Sequence, residues 1–139
     1  MGLCLYILDR RPTYGCPDPV ELAECDVGAY SDFGAFRDLI AKYLEADLFP
    51  ILMEHSDCDG EWSLEDIPEL EWELREIATA FKKLPAEEPV GGLEFAAKYR
   101  VGAKSLYDCV HVVGGRNTFE ALLDLCAKAR EFQRPITFY

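Results

Sequence analysis

At 139 residues the chain suits one domain, spanning 1–139, and a domain of that size buries roughly two-thirds of its unfolded surface without metal or disulfide staples. Half of the residues are hydrophobic and 12% are aromatic, which excludes a disordered chain despite the charge. Fourteen Lys and Arg face 26 Asp and Glu, giving a net charge of −12; this argues against nucleic acid or anionic membrane as a partner and for a basic one.

In chain order, Leu3 to Leu8 is a short apolar run that predicts a buried strand. Asp9 to Pro19 holds three prolines and a glycine and predicts a loop. Glu21 to Val27 is a weaker strand, closed by Gly28. Ser31 is positioned to cap a helix from Asp32 to about Glu45, with Phe33, Phe36, Ile40, Tyr43 and Leu44 in one stripe. Phe49 to Met53 reads as a short strand with Pro50 at its start or edge. A polar loop, His55 to Trp62, follows. Ser63 is a cap candidate for a helix that becomes regular at Pro68 and runs to about Lys83, with Pro85 as its stop.

Residues 85–92 are rich in Pro, Glu and Gly, and Leu93 to Tyr99 suggests a short helix. Tyr107 to Val113 reads as a β-branched strand ended by Gly114 and Gly115. Asn117 and Glu120 suggest a capping box for a helix from Thr118 to about Glu131, burying Phe119, Leu122, Leu123 and Cys126. Pro135 to Tyr139 closes the chain as a strand. The expected fold class is α+β: a mainly antiparallel sheet of four to five short strands with three main helices packed on it.

The six cysteines, at 4, 16, 25, 58, 109 and 126, form no CxxC pair, and Cys4, Cys109 and Cys126 lie in apolar segments. They read as small hydrophobes of a reducing cytoplasm. Gly2 to Leu8 has no basic region before it, so no secretory leader is read there. No apolar stretch approaches the roughly 20 residues of a membrane span. Cys109 and His111, two apart on the expected strand, would face one side, yet their apolar setting favours packing over nucleophilic chemistry. His55 with Cys58 would need distant partners to hold zinc. There is no GxGxxG, Walker loop, HExxH or GxSxG, and no cofactor or catalytic residue is expected.

Charge placement is the strongest local feature. Between Glu54 and Glu76 stand ten acids and one base, Arg75, so −9 of the net −12 falls within 23 residues. At about 100° per residue, Ile67, Leu70, Leu74, Ile77, Ala78 and Phe81 share one helix face. Trp72 falls nearly opposite, in line with Glu65, Glu69 and Glu76. Tryptophan among carboxylates suits contact with a basic protein. The candidate partner-binding residues are these four with Asp57, Asp59, Glu61 and Trp62 of the preceding loop. Two plainer readings stay open: a solvated helix face, or a Trp72 covered by residues 85–103. The loop from His55 to Asp66 also partly fits a calcium loop, with Gly60 at position six, but His55 and Asp66 are poor first and last ligands.

Ser31-Asp-Phe-Gly-Ala-Phe-Arg-Asp38, His55-Ser-Asp-Cys-Asp-Gly-Glu-Trp-Ser63, the Leu106-Tyr-Asp108 entry and Pro135-Ile-Thr-Phe138 occur in an order that resembles the immunity protein 70 family of bacterial polymorphic toxin systems. The loop at 55–62 is the most specific of these. The resemblance implies an α+β fold and an antidote that binds and neutralises a cognate toxin; it supplies no catalytic residues. The loop at 12–19 is longer than the family pattern, and Val113-Gly-Gly-Arg116 replaces a more acidic turn. The expected function is therefore toxin neutralisation by occlusion, with a nuclease as a fitting target. A small enzyme, or a calcium-binding or structural module built on the 55–66 loop, are the alternatives.

Overall fold

The computed structural model describes residues 2–56, 58–87 and 102–139. Among them are four strands, β1 (Gly2–Leu8), β2 (Glu21–Ala29), β3 (Glu61–Trp62) and β4 (Ile136–Phe138), and four α-helices, α1 (Tyr30–Tyr43), α2 (Pro50–Glu54), α3 (Ile67–Lys82) and α4 (Thr118–Phe132). The strands form one antiparallel sheet in the order β2-β1-β4-β3. The fold is α+β, as expected.

Alternation along β1 sends Leu3, Leu5 and Ile7 into the core, each fully buried, while Cys4 and Tyr6 face the other way and stay part-exposed. Aromatic rings join sheet to helices. Phe33 of α1 meets Phe138 of β4 edge-on at 6.2 Å. Phe119 of α4 touches Phe36 of α1, Phe81 of α3 and Tyr107, each with ring centroids 5.4 Å apart. These contacts tie the three long helices and the sheet into one hydrophobic cluster.

The passage from β2 into α1 is abrupt. The helix begins at Tyr30, so Ser31 lies inside its first turn rather than capping it. The cap is instead Asp32, whose Oδ2 accepts the Ala29 N–H at 2.7 Å. Gly28 permits this: its φ is +97°, and a Cβ there would stand 2.6 Å from that same oxygen. Asn117 does cap α4, accepting the N–H groups of Phe119 and Glu120 at 2.9 and 3.2 Å.

Two expected strands are not strands. Phe49 to Met53 folds into α2, with Pro50 in its first turn. Proline lacks the N–H that a strand ladder needs, and its fixed φ suits a helix start. The next two N–H groups, of Ile51 and Leu52, are taken by the carboxylate of Glu73 at 3.2 and 2.9 Å. Tyr107 to Val113 begins within a 3₁₀ turn, Leu106–Cys109, and retains only an isolated bridge between His111 and Asn117. Gly114 and Gly115, both at positive φ, turn the chain back before a ladder forms, and Gly115 N–H bonds Val112 C=O at 3.0 Å. Cys109 therefore does not share a strand face with His111. The helix expected at Leu93 to Tyr99 lies outside the described residues.

Candidate partner-binding surface

Every residue expected on the apolar stripe of α3 is buried: Ile67, Leu70, Leu74, Ile77, Ala78 and Phe81. That fixes the helix rotation and puts Trp72 outward, 51% exposed. Its ring leans on that of buried Phe49, centroids 6.3 Å apart and 37° between planes. One turn away on either side, Glu69 and Glu76 are exposed, and Glu65 is exposed in the turn that leads into the helix. The structure thus brings Glu69, Trp72 and Glu76 onto one helix face, with Glu65 exposed in the turn before it. Leu48, 58% exposed in the 3₁₀ turn Ala46–Leu48 and adjacent in sequence to Phe49, borders this region with exposed Asp47. Reading Phe49 to Met53 as a strand hid that neighbour.

The remaining expected residues separate. Asp59 is exposed in the loop, whereas Asp57 lies outside the described residues. Glu61 is half-buried on β3, and its Oε1 accepts from Arg11 Nη2 at 2.7 Å, so much of its charge is satisfied within the fold. Trp62 is not a surface residue. It is 1% exposed, stands edge-on to Phe138 at 4.7 Å, and donates its indole N–H to Ile51 C=O at 3.0 Å. Pairing with Ile136 of β4 turns it inward. Its expected role in partner binding is replaced by one in the core.

The acidic run also divides. Glu71 is buried and meets Arg130 of α4 through two bonds, at 2.8 and 3.0 Å, with Arg75 at 3.5 Å. Glu73 is fully buried under α2. Burial raises the Glu73 pKa, opposed by the N–H groups of Leu52 and Ile51 and reinforced by the charges of Glu69 and Asp66. On a helical wheel these two acids flank the apolar stripe, a signal that would have separated them from the outward set.

The described residues of the loop at 55–62 bond chiefly within the fold. The His55 ring lies against that of Phe138, centroids 4.1 Å apart and tilted by 32°, and its ring nitrogens lie 2.7 Å from Ser56 C=O and 2.9 Å from Glu61 C=O. Helices do flank the loop, since α2 replaces the expected strand. Yet the carbonyl that a calcium loop would present at position seven is bonded to His55, and the Glu61 carboxylate to Arg11. No group of three His, Cys, Asp or Glu side chains that could hold a metal gathers among the described residues. Burial pushes the thiols of Cys25 and Cys126 up to about 12, so both stay protonated near neutral pH. No helix among the described residues is long and apolar enough to cross a membrane.

Searches among curated proteins and among solved structures returned no match. The model of the immunity protein 70 family matches residues 19–138. That span runs from the end of the proline-rich loop through β4 and contains the whole of α3 and its outward face. The chain belongs to the immunity protein 70 family.

Proposed function

We propose that this immunity protein neutralises a cognate toxin of a bacterial polymorphic system in the cytoplasm, by covering a basic functional surface of the toxin with the outward face of α3. The observation that carries the reading is the placement of a half-exposed Trp72 between Glu69 and Glu76, on a helix whose opposite stripe is fully buried. A helix locked by its core face presents these side chains with little ordering left to do on binding. Tryptophan supplies the apolar anchor and the carboxylates supply steering, which raises association rates at low salt to about 10⁸–10⁹ M⁻¹s⁻¹. Glu65 and Asp59 extend the same charge. A specific interface of roughly 800 Å² per partner is larger than this patch, so further elements contribute to it. A nuclease toxin fits the electrostatics, because its cleft is basic to hold phosphate.

Co-expression with the toxin encoded beside this gene tests the reading. Wild-type protein restores growth and co-purifies with the toxin. The combined variant Glu65→Lys, Glu69→Lys, Glu76→Lys, checked for an unchanged circular dichroism spectrum, loses rescue. Rescue at wild-type level by the folded variant would remove this face from the mechanism.

A further inference from the structure

One face of the sheet, that of Leu3, Leu5 and Ile7, is buried in the core. On the other, Tyr6 of β1 stands across from Glu24 of β2 and Thr137 of β4, and Cys4 stands across from Asp26. Immediately beyond β4, Tyr139 is held in place by two backbone bonds with Cys4, at 2.9 and 3.1 Å. Its ring meets that of Tyr6 at 6.0 Å and 80°, so the two rings form a corner. Leu8, Pro12 and Pro19 close the corner, and Asp18 and Glu21 stand at it, around a cavity of about 220 Å³.

The cavity is preformed by the loop between β1 and β2. Arg10 reaches across that loop to Pro17 C=O and Asp18 C=O, at 2.8 and 2.9 Å. Asp9 accepts the Val20 N–H at 2.8 Å, and the Asp9 N–H returns to Val20 C=O at 3.0 Å. The nearby cations are engaged elsewhere: Arg10 with these carbonyls and Asp9, and Arg11 with Glu61. Asp18 and Glu21 have no ion-pair partner among the described residues.

We propose that this corner of Tyr6, Tyr139, Asp18 and Glu21 receives a lysine or arginine side chain of the protein partner. The argument is charge and shape together. Aromatic faces attract a cation, carboxylates bond its N–H groups, and Leu8 with the two prolines packs its aliphatic stem. The Tyr6 phenol, whose pKa is pushed up to about 12 chiefly by its bond with Cys4, stays protonated near neutral pH and presents a neutral ring. The partner being the toxin rests on the reading above; the cation corner itself does not.

Titration of the ¹⁵N-labelled full chain with the methylamides of Nα-acetyl-arginine and Nα-acetyl-lysine, against Nα-acetyl-norleucine, tests the corner directly. The expected result is saturable shifts of the Tyr6, Glu21 and Tyr139 amides with the cationic amides only, weakened at least fivefold in Asp18→Asn, Glu21→Gln and unchanged in Glu65→Gln, Glu69→Gln, Glu76→Gln. Shifts spread over α3, equal shifts with norleucine, or none would overturn the proposal. With the neighbouring toxin, Asp18→Lys, Glu21→Lys should weaken a complex that forms with wild type by at least tenfold; a complex of full affinity would refute the corner while leaving the immunity reading intact. Wild type that binds no toxin would remove the immunity reading, and the amide titration would still decide the corner. Light scattering that shows a homodimer split by the Lys variant would make the occupant a second copy and overturn the proposal.

Discussion

Arg130 of α4 holds Glu71 of α3, 59 residues away in sequence, through paired bonds at 2.8 and 3.0 Å that link the two helices. The carboxylate side chain is 6% exposed and the guanidinium side chain 52%. Removing Arg130 leaves the buried acid with Arg75 alone, at 3.5 Å. Arg130→Leu is expected to destabilise the fold by about 1–3 kcal/mol, below the usual figure for a broken buried pair because the arginine is half-solvated. Urea unfolding of the single and double variants checks this. In a Glu71→Leu background the same change should cost far less, since no buried charge is left stranded.

Glu73 should show the opposite relation between charge and stability. Its carboxylate accepts the buried Leu52 N–H and the part-buried Ile51 N–H that open α2, so Glu73→Ala is expected to cost about 1–3 kcal/mol, chiefly through the Leu52 donor it strands. Its folded-state pKa lies above the ordinary 4.5, so the folded chain holds this proton more tightly than the unfolded chain does. The contribution from this group is therefore most favourable below that ordinary value of 4.5 and falls as pH rises through the raised one. The stability of Glu73→Gln relative to wild type should rise over that interval and level off above it. A flat difference from pH 4 to 8 would refute the assigned ionisation.

The sequence made the long elements legible because each has one apolar periodicity and one exposed side. The stripe of α3, the strand at β1 and the Asn117 cap all follow from local chemistry. Two segments misled for a shared reason. Phe49 to Met53 and Tyr107 to Val113 are short apolar runs, and such runs carry no period long enough to separate strand from helix or turn. What decides them is distant: Glu73 opens α2 from another helix, and the positive-φ pair Gly114 and Gly115 returns the second run on itself. In the candidate surface, outward Trp72 was visible from helical geometry. Inward Trp62 was not, because its burial depends on β3 pairing with β4, 74 residues away at Ile136. The tyrosine corner was invisible for the same reason, since it joins Tyr6 to Tyr139 across the length of the chain.

Gly28 is a strict position. A side chain there meets a positive φ and the cap oxygen of Asp32 together. Gly28→Ala is expected to cost about 1–3 kcal/mol, from backbone strain and a displaced cap. Asp32→Ala alone removes the cap, at about 1 kcal/mol, and with it the oxygen that a Cβ at position 28 would meet at 2.6 Å. The double variant should therefore be less destabilised than the sum of the singles, as thermal melts of the four proteins will show. Simple additivity would mean that the two residues do not compete for the same space.

The two tryptophans should part cleanly when stability and binding are measured on the same variants. Trp62→Ala removes a core ring and its bond to Ile51, so it is expected to cost about 3–5 kcal/mol and to act on neutralisation only through the folded fraction. Trp72→Ala loses chiefly its lean on Phe49, worth about 0.5–1.5 kcal/mol, and should leave the melting curve close to wild type. Its effect belongs to the interface: toxin affinity should fall at least tenfold, mostly through faster dissociation, because a desolvated aromatic anchor holds the bound state. Charge reversal at Glu65, Glu69 and Glu76 should act instead on the association rate and flatten its dependence on salt, since exposed charges steer encounter over about 10 Å at 0.1 M ionic strength. Stopped-flow association from 50 to 500 mM salt, together with dissociation measured by competition, separates the two contributions. A Trp72→Ala protein that dissociates at the wild-type rate would show that this helix face does not touch the toxin, whatever the charge variants do.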